Sequence, residues 1–181
     1  ETEKPGETEE TEKPGETEES KAQKRAENDA KALEQAMSGA GTNEQALIDI
    51  LTNRSNKEIA AIKASYSKQF GKDLAEEVRS ETSGDFQATL LKLLEGKRDE
   101  AGKVDQGQAK SDAAEIHKAI DGWGTNEEKL ISIFTSRSKE QLQAAAKAYE
   151  SEYGESLKAA IEGDTSGDFR TTLLALLGEK E

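Results

Sequence analysis

An all-α fold is predicted, built twice from one five-helix unit and preceded by a disordered acidic tail. Three observations lead there. Asp29–Lys97 aligns with Asp112–Lys180 at an offset of 83 without a gap, and 29 of the 69 positions are identical, so the unit is a duplication. Apolar residues recur at spacings of three and four in both copies. No stretch alternates apolar and polar residues as a half-buried strand would. At 181 residues the chain has room for one ordinary domain or two small ones.

The tail comes first, residues 1–24. TEKPGETEE occurs as Thr2–Glu10 and again as Thr11–Glu19, and both prolines, Pro5 and Pro14, fall here. The first twenty residues hold nine Glu, two Lys and nothing apolar to bury, so disorder is expected. The two units follow at residues 25–97 and 111–181. The polar, Gly-containing stretch 98–110 is read as a linker between them.

Within a unit each helix has its own stripe. Leu33, Ala36 and Met37 mark the first, with Ile116, Ala119 and Ile120 in the second copy. Leu47, Ile48, Ile50 and Leu51 mark the second, matched by Leu130, Ile131, Ile133 and Phe134. Ile59, Ile62, Tyr66 and Phe70 give the third, repeated as Leu142, Ala145, Tyr149 and Tyr153. A short fourth helix carries Leu74 and Val78, or Leu157 and Ile161. The fifth carries Phe86, Leu90, Leu91, Leu93 and Leu94, or Phe169, Leu173, Leu174, Leu176 and Leu177. These residues are the expected core. Thr42 and Thr125 are expected N-caps of the second helices, with Gln45 and Glu128 completing capping boxes. Arg54 and Arg137 are read as structural, pairing or capping near the end of that helix.

Charge narrows the function. Asp and Glu number 38 against 25 Lys and Arg, a formal net charge of -13. So acidic a chain has no positive surface for a nucleic-acid backbone, and it cannot dock directly on anionic lipid. Contact with phosphates needs a cation in between. The absence of Cys removes disulfides, zinc–thiolate sites, iron–sulfur clusters and a thiol nucleophile. The single His, His117, cannot form a multi-His metal site, and no Ser, His or acid grouping stands out as catalytic, so no enzyme is expected. No apolar run approaches the ~20 residues of a membrane-spanning helix. A cytoplasmic location with reversible membrane attachment is the expectation.

One constellation carries chemistry. MSGAGTNE, Met37–Glu44, lies between the first and second helices, and Gly39 and Gly41 free its backbone to curl and aim carbonyls inward. Hard cations favour oxygen ligands, backbone carbonyls among them. An acid stands 42 residues after the first Gly of each loop: Glu81 for Gly39 and Asp164 for Gly122, each just before TSGD. If loop and acid meet at one end of the bundle, three carbonyls and a bidentate carboxylate make a calcium site. Taken alone this is a modest signal, since a tight turn and an acid at a helix N-terminus have their own structural reasons. Its double occurrence at one spacing raises it.

Together the M-x-G-x-G-T-N-E loop, the TxRS block and the acid–TSGDF block resemble the repeats of annexins, over about residues 25–181. The resemblance implies a right-handed superhelical five-helix repeat and calcium-dependent, reversible binding to anionic phospholipid. It assigns one metal site to the carbonyls of Met37, Gly39 and Gly41 with the carboxylate of Glu81. The second is assigned to the carbonyls of Ile120, Gly122 and Gly124 with Asp164. Secondary metal sites are implied at Thr42 with Glu44, and at Thr125 with Glu127. Ala40 and Trp123 sit at the loop tips and are the implied membrane contacts; Trp suits the bilayer interface. One carboxylate per site predicts weak calcium binding, on the order of 10⁻⁴–10⁻³ M. Annexins carry four such repeats and this chain two, so further repeats or a second copy of the chain are expected partners. A calcium-silent helical scaffold that engages protein partners is the alternative.

Overall fold

The computed structural model describes residues 15–179, and within them ten helices and no strand. The first unit holds α1 (Glu18–Met37), α2 (Glu44–Leu51), α3 (Asn56–Phe70), α4 (Leu74–Glu81) and α5 (Gly84–Leu94). The second holds α6 (Gln106–Ile120), α7 (Glu127–Ser136), α8 (Lys139–Tyr153), α9 (Leu157–Asp164) and α10 (Gly167–Leu177). Five helices per unit is the expected number.

Two boundaries move. The helix α1 begins at Glu18 with Thr17 as its N-cap, so residues 18–24 belong to it and not to a tail. Glu18 and Glu19 in its first turn suit the positive end of the helix dipole, which composition alone had put in the disordered stretch. The remainder of the repeated acidic segment, residues 1–14, lies outside the described residues. The linker also shortens: Gln106–Lys110 are the first turns of α6, capped by Asp105. What precedes them is tied down. The Asn56 side chain brackets the Arg98 backbone, donating to its carbonyl at 2.7 Å and accepting from its N–H at 3.0 Å. Gln141 does the same for Asp105, at 2.8 and 2.9 Å. The Arg98 guanidinium donates to the Arg137 carbonyl, and burial pushes it below its ordinary value.

Helices this short cannot hide their apolar stripes alone. In each unit the first helix packs on the third, and the units meet where α5 lies on α7 and α10 lies on α2 and α5. One core runs through both units. The expected stripes fill it, with Ile50, Phe70, Leu91 and Tyr153 only partly buried at its margin. Among the described residues the large apolar side chains left exposed are Val104 and Trp123.

Arg54 and Arg137 pair, as expected. Arg54 grips Asp29 of α1 with two bonds of 2.7 and 2.9 Å, and Arg137 grips Asp112 of α6 at 2.8 and 3.2 Å. In each case the hydrogen bond to the carboxylate raises the guanidinium above its ordinary value. The pairs differ in depth: the side chain of Asp112 is 4% exposed and that of Asp29 is 14% exposed. Arg137→Met is expected to cost about 3 kcal/mol by stranding a buried carboxylate, with Gln108 its remaining partner at 2.7 Å. Arg54→Met should cost distinctly less, because water reaches Asp29 more easily. Urea unfolding followed by circular dichroism ranks the two.

Candidate functional site

The loop between α1 and α2 is closed by a backbone bond from Asn43 N–H to the Ala36 carbonyl at 2.8 Å; Asn126 and Ala119 repeat it at 2.8 Å. Gly39 and Gly122 hold φ of +116° and +117°, and Gly41 and Gly124 hold +94° and +85°. A side chain would meet nothing within 4 Å at any of the four, so the backbone angle is what demands glycine. Met37 and Ile120 put their side chains into the core. Only their backbone is left to face a ligand.

The helix that follows each loop is not capped by threonine. Asn43 and Asn126 are the N-caps, accepting from the N–H groups of Ala46 and Lys129 at 3.1 and 3.0 Å. Both residue types cap well, and the loop closure selects the one after Thr. A capping box forms instead at Ser55 and Glu58 of α3. Freed from capping, the threonines reach across the unit. The Thr42 hydroxyl lies 3.0 Å from Glu81 Oε2 and 3.4 Å from the Glu81 carbonyl. The Thr125 hydroxyl donates to the Asp164 carbonyl at 3.2 Å. Each loop is thereby brought against the turn that carries its distant acid. That turn is itself held: Thr82 and Thr165 each donate to a carbonyl of the preceding helix at 2.6 Å. Gln87 and Arg170 reach back to the carbonyls of Thr82 and Thr165.

Packing of the two units brings both acid turns to one cavity of about 400 Å³. Glu44, Glu81 and Asp85 line it from the first unit, and Glu127, Asp164 and Asp168 from the second. Asp85 and Asp168 were not singled out from the sequence; only the junction between units places them here. Burial, and then Glu127 across the cavity, push the Asp85 carboxyl above the usual range. Among the described residues no group of three or more His, Cys, Asp or Glu is placed to hold a metal. A carbonyl-based site has no need of one. The donor set of each loop, hard oxygens with a single acid, fits calcium rather than a metal that prefers nitrogen or sulfur. His117 has its ring stacked on Tyr153, centroids 3.8 Å apart, and its Nε2 3.8 Å from Asp121 at the start of the second loop. Trp123 stands clear of its own repeat, 107% exposed at the loop tip.

The sequence profile of the annexin family matches residues 28–93 and 111–176, one match per unit. The chain belongs to the annexin family. It is 42% identical to annexin A13 of Canis lupus familiaris over 153 residues, 84% of this chain and 48% of that protein. It is 43% identical to annexin A3 of Homo sapiens over 150 residues, 82% of this chain and 46% of that protein. The chain thus spans about half the length of the curated annexins it matches. Annexin III superposes with a TM-score of 0.82 at 42% identity, over 84% of this chain and 48% of that structure. Calcium-bound annexin (Sm)1 superposes with 0.76 at 28% identity, over 84% and 48%.

Two stability measurements follow. Asn43→Ala is expected to cost about 1 kcal/mol as a lost annexin-repeat cap, whereas a cap at Thr42 would have left Asn43→Ala neutral. The raised Asp85 carboxyl means that ionising it works against the fold. Asp85→Asn should therefore stabilise at neutral pH, and the gain should shrink as pH falls through the carboxylate range, where Asp85 is protonated anyway. Thermal melts of both variants across pH check the two statements.

Proposed function

We propose that this annexin chain binds anionic phospholipid membranes reversibly and in a calcium-dependent manner, through its two GxGT loops. The observation that carries the reading is the repeated juxtaposition of loop and distant acid, with a threonine hydroxyl between them in both units. Under this reading Met37, Gly39, Gly41 and Glu81 hold one ion, and Ile120, Gly122, Gly124 and Asp164 the other. Thr42 with Glu44, and Thr125 with Glu127, are the secondary positions. The family's general activity and the calcium-bound state of annexin (Sm)1 agree with the assignment.

The mechanism starts from repulsion. A chain of net charge -13 and an anionic bilayer repel each other without metal. Calcium, when bound, supplies positive charge and coordination positions open to phosphate oxygens. The glycine-shaped backbone supplies carbonyls without added negative charge, so a single acid per loop suffices to neutralise part of the ion. Lipid then adds the ligands the protein lacks, so calcium and lipid tighten each other. Two loops on one chain make the second engagement intramolecular. Trp123 places an amphipathic ring where the headgroups would be, and Ala40 leaves the other tip bare. No helix among the described residues is long and apolar enough to cross a membrane, and attachment is read as peripheral, from a cytoplasmic pool. No catalytic role is assigned.

Co-sedimentation with phosphatidylserine vesicles tests this. Pelleting at millimolar calcium, reversed by chelator and lost in a Glu81→Ala/Asp164→Ala double variant, is the expected result. Trp123→Ala should raise the calcium needed for half-pelleting roughly tenfold, equivalent to about 1.4 kcal/mol. A folded chain that stays in the supernatant at every calcium level would return the reading to a protein-binding scaffold.

A further inference from the structure

We infer that Thr42 is a positioning residue that latches the Glu81 carboxylate onto the first loop before any metal arrives, and that the second loop, lacking this latch, fills later. The inference rests on the calcium reading above and adds an order to it. In the first unit the Thr42 hydroxyl lies 3.0 Å from a carboxylate oxygen of Glu81. In the second, Thr125 reaches only the backbone carbonyl of Asp164, at 3.2 Å. Asp is one methylene shorter than Glu, and the bond that Thr125 makes to Asp164 goes to its backbone and not to its carboxylate.

The ends of the two acid helices differ in the same sense. Ser80 precedes Glu81 and donates back to the Glu77 carbonyl at 2.9 Å. Gly163 precedes Asp164 and carries no side chain to do this. A carboxylate has about four acceptor positions over its two oxygens, so one bond from Thr42 leaves room for a cation. The hydroxyl fixes the side chain's rotamers in advance, and ordering that is already done in the free protein does not oppose binding. The glycine φ angles of the two loops nearly coincide; their side chains differ at Ser38 against Asp121 and Ala40 against Trp123, besides the acid and its latch.

The test uses the full chain and calcium alone. Amide resonances of Gly39 and Gly41 report the first loop; the fluorescence of Trp123, the only tryptophan, reports the second. The first loop is expected to fill at lower calcium. Thr42→Val should weaken it about fivefold, the size of one lost hydrogen bond, and Thr42→Ser should restore it. Thr125→Val should have a smaller effect on its own loop. A second readout needs no metal: amide hydrogen exchange at residues 38–43 and 81–83 should speed up in metal-free Thr42→Val and recover in Thr42→Ser. Unchanged exchange overturns the latch even where calcium binds, as do equal effects of the two valine variants. Simultaneous filling overturns the order. If neither loop responds to calcium, the calcium reading itself falls and the filling order with it, while metal-free exchange still decides the latch.

Discussion

The contact between the two fifth helices governs everything at the loops. The helices α5 and α10 begin at Gly84 and Gly167, directly after the acid turns, and they pack on each other and on the second helices of the opposite unit. Leu90, Leu94, Leu173 and Leu177 of these two helices are all but inaccessible. Burying one such side chain is worth about 1.5–3 kcal/mol, more than any surface ion pair returns. The apolar junction therefore decides how the units sit, and the charges must accept the result. The result is six carboxylates around one cavity. Their mutual repulsion is tolerated because most of them keep water, and the upward push on Asp85 shows where that tolerance thins.

A second level of constraint holds each loop to its unit. Arg54 and Arg137 join the end of the second helix to the first, so the two helices that flank a loop are fixed at their far ends as well. The positive φ of the glycines then leaves the loop few ways to run between them. Threonine closes the circuit by reaching the fourth helix's last residue, 39 positions on. No one of these contacts is large. Together they turn an acid distant in sequence into a neighbour.

Much of this could be read in the sequence because duplication prints it twice. A stripe such as Ile59–Ile62–Tyr66–Phe70 can arise by accident once; with Leu142–Ala145–Tyr149–Tyr153 at the same offset it becomes a helix. Glycine needs were equally plain, since φ is a local property. What escaped was decided by tertiary geometry. Thr and Asn are both good caps, and only the closure of the loop on Ala36 selects Asn43. Glu18–Lys24 looks like tail by composition, yet α1 extends through it with Thr17 as its cap and Ala22 and Ala26 on the side that meets α3. The shared acidic cavity could not be read at all, because its residues belong to two units whose packing is set by leucines elsewhere.

The differences between the copies fall in a pattern. Positions that define the backbone agree: both loop glycines, the threonine, the capping asparagine and the Arg–Asp pair occur in each unit. Three positions that meet solvent or a ligand differ: Ala40 against Trp123, Glu81 against Asp164, Ser80 against Gly163. An indole left wholly in water forgoes the burial of some 150–250 Å², which at ~25 cal/mol per Å² is about 4–6 kcal/mol. Nothing in its own repeat recovers that energy, whereas the headgroup region of a bilayer recovers part of it. The first unit has the acid bonded through its carboxylate to threonine and a bare tip; the second has the acid without that bond and the apolar tip. Under the proposed function the copies then divide the work, one favouring the ion and the other the interface. Each makes good a deficiency of the other only while the leucine junction keeps both on a single rigid unit.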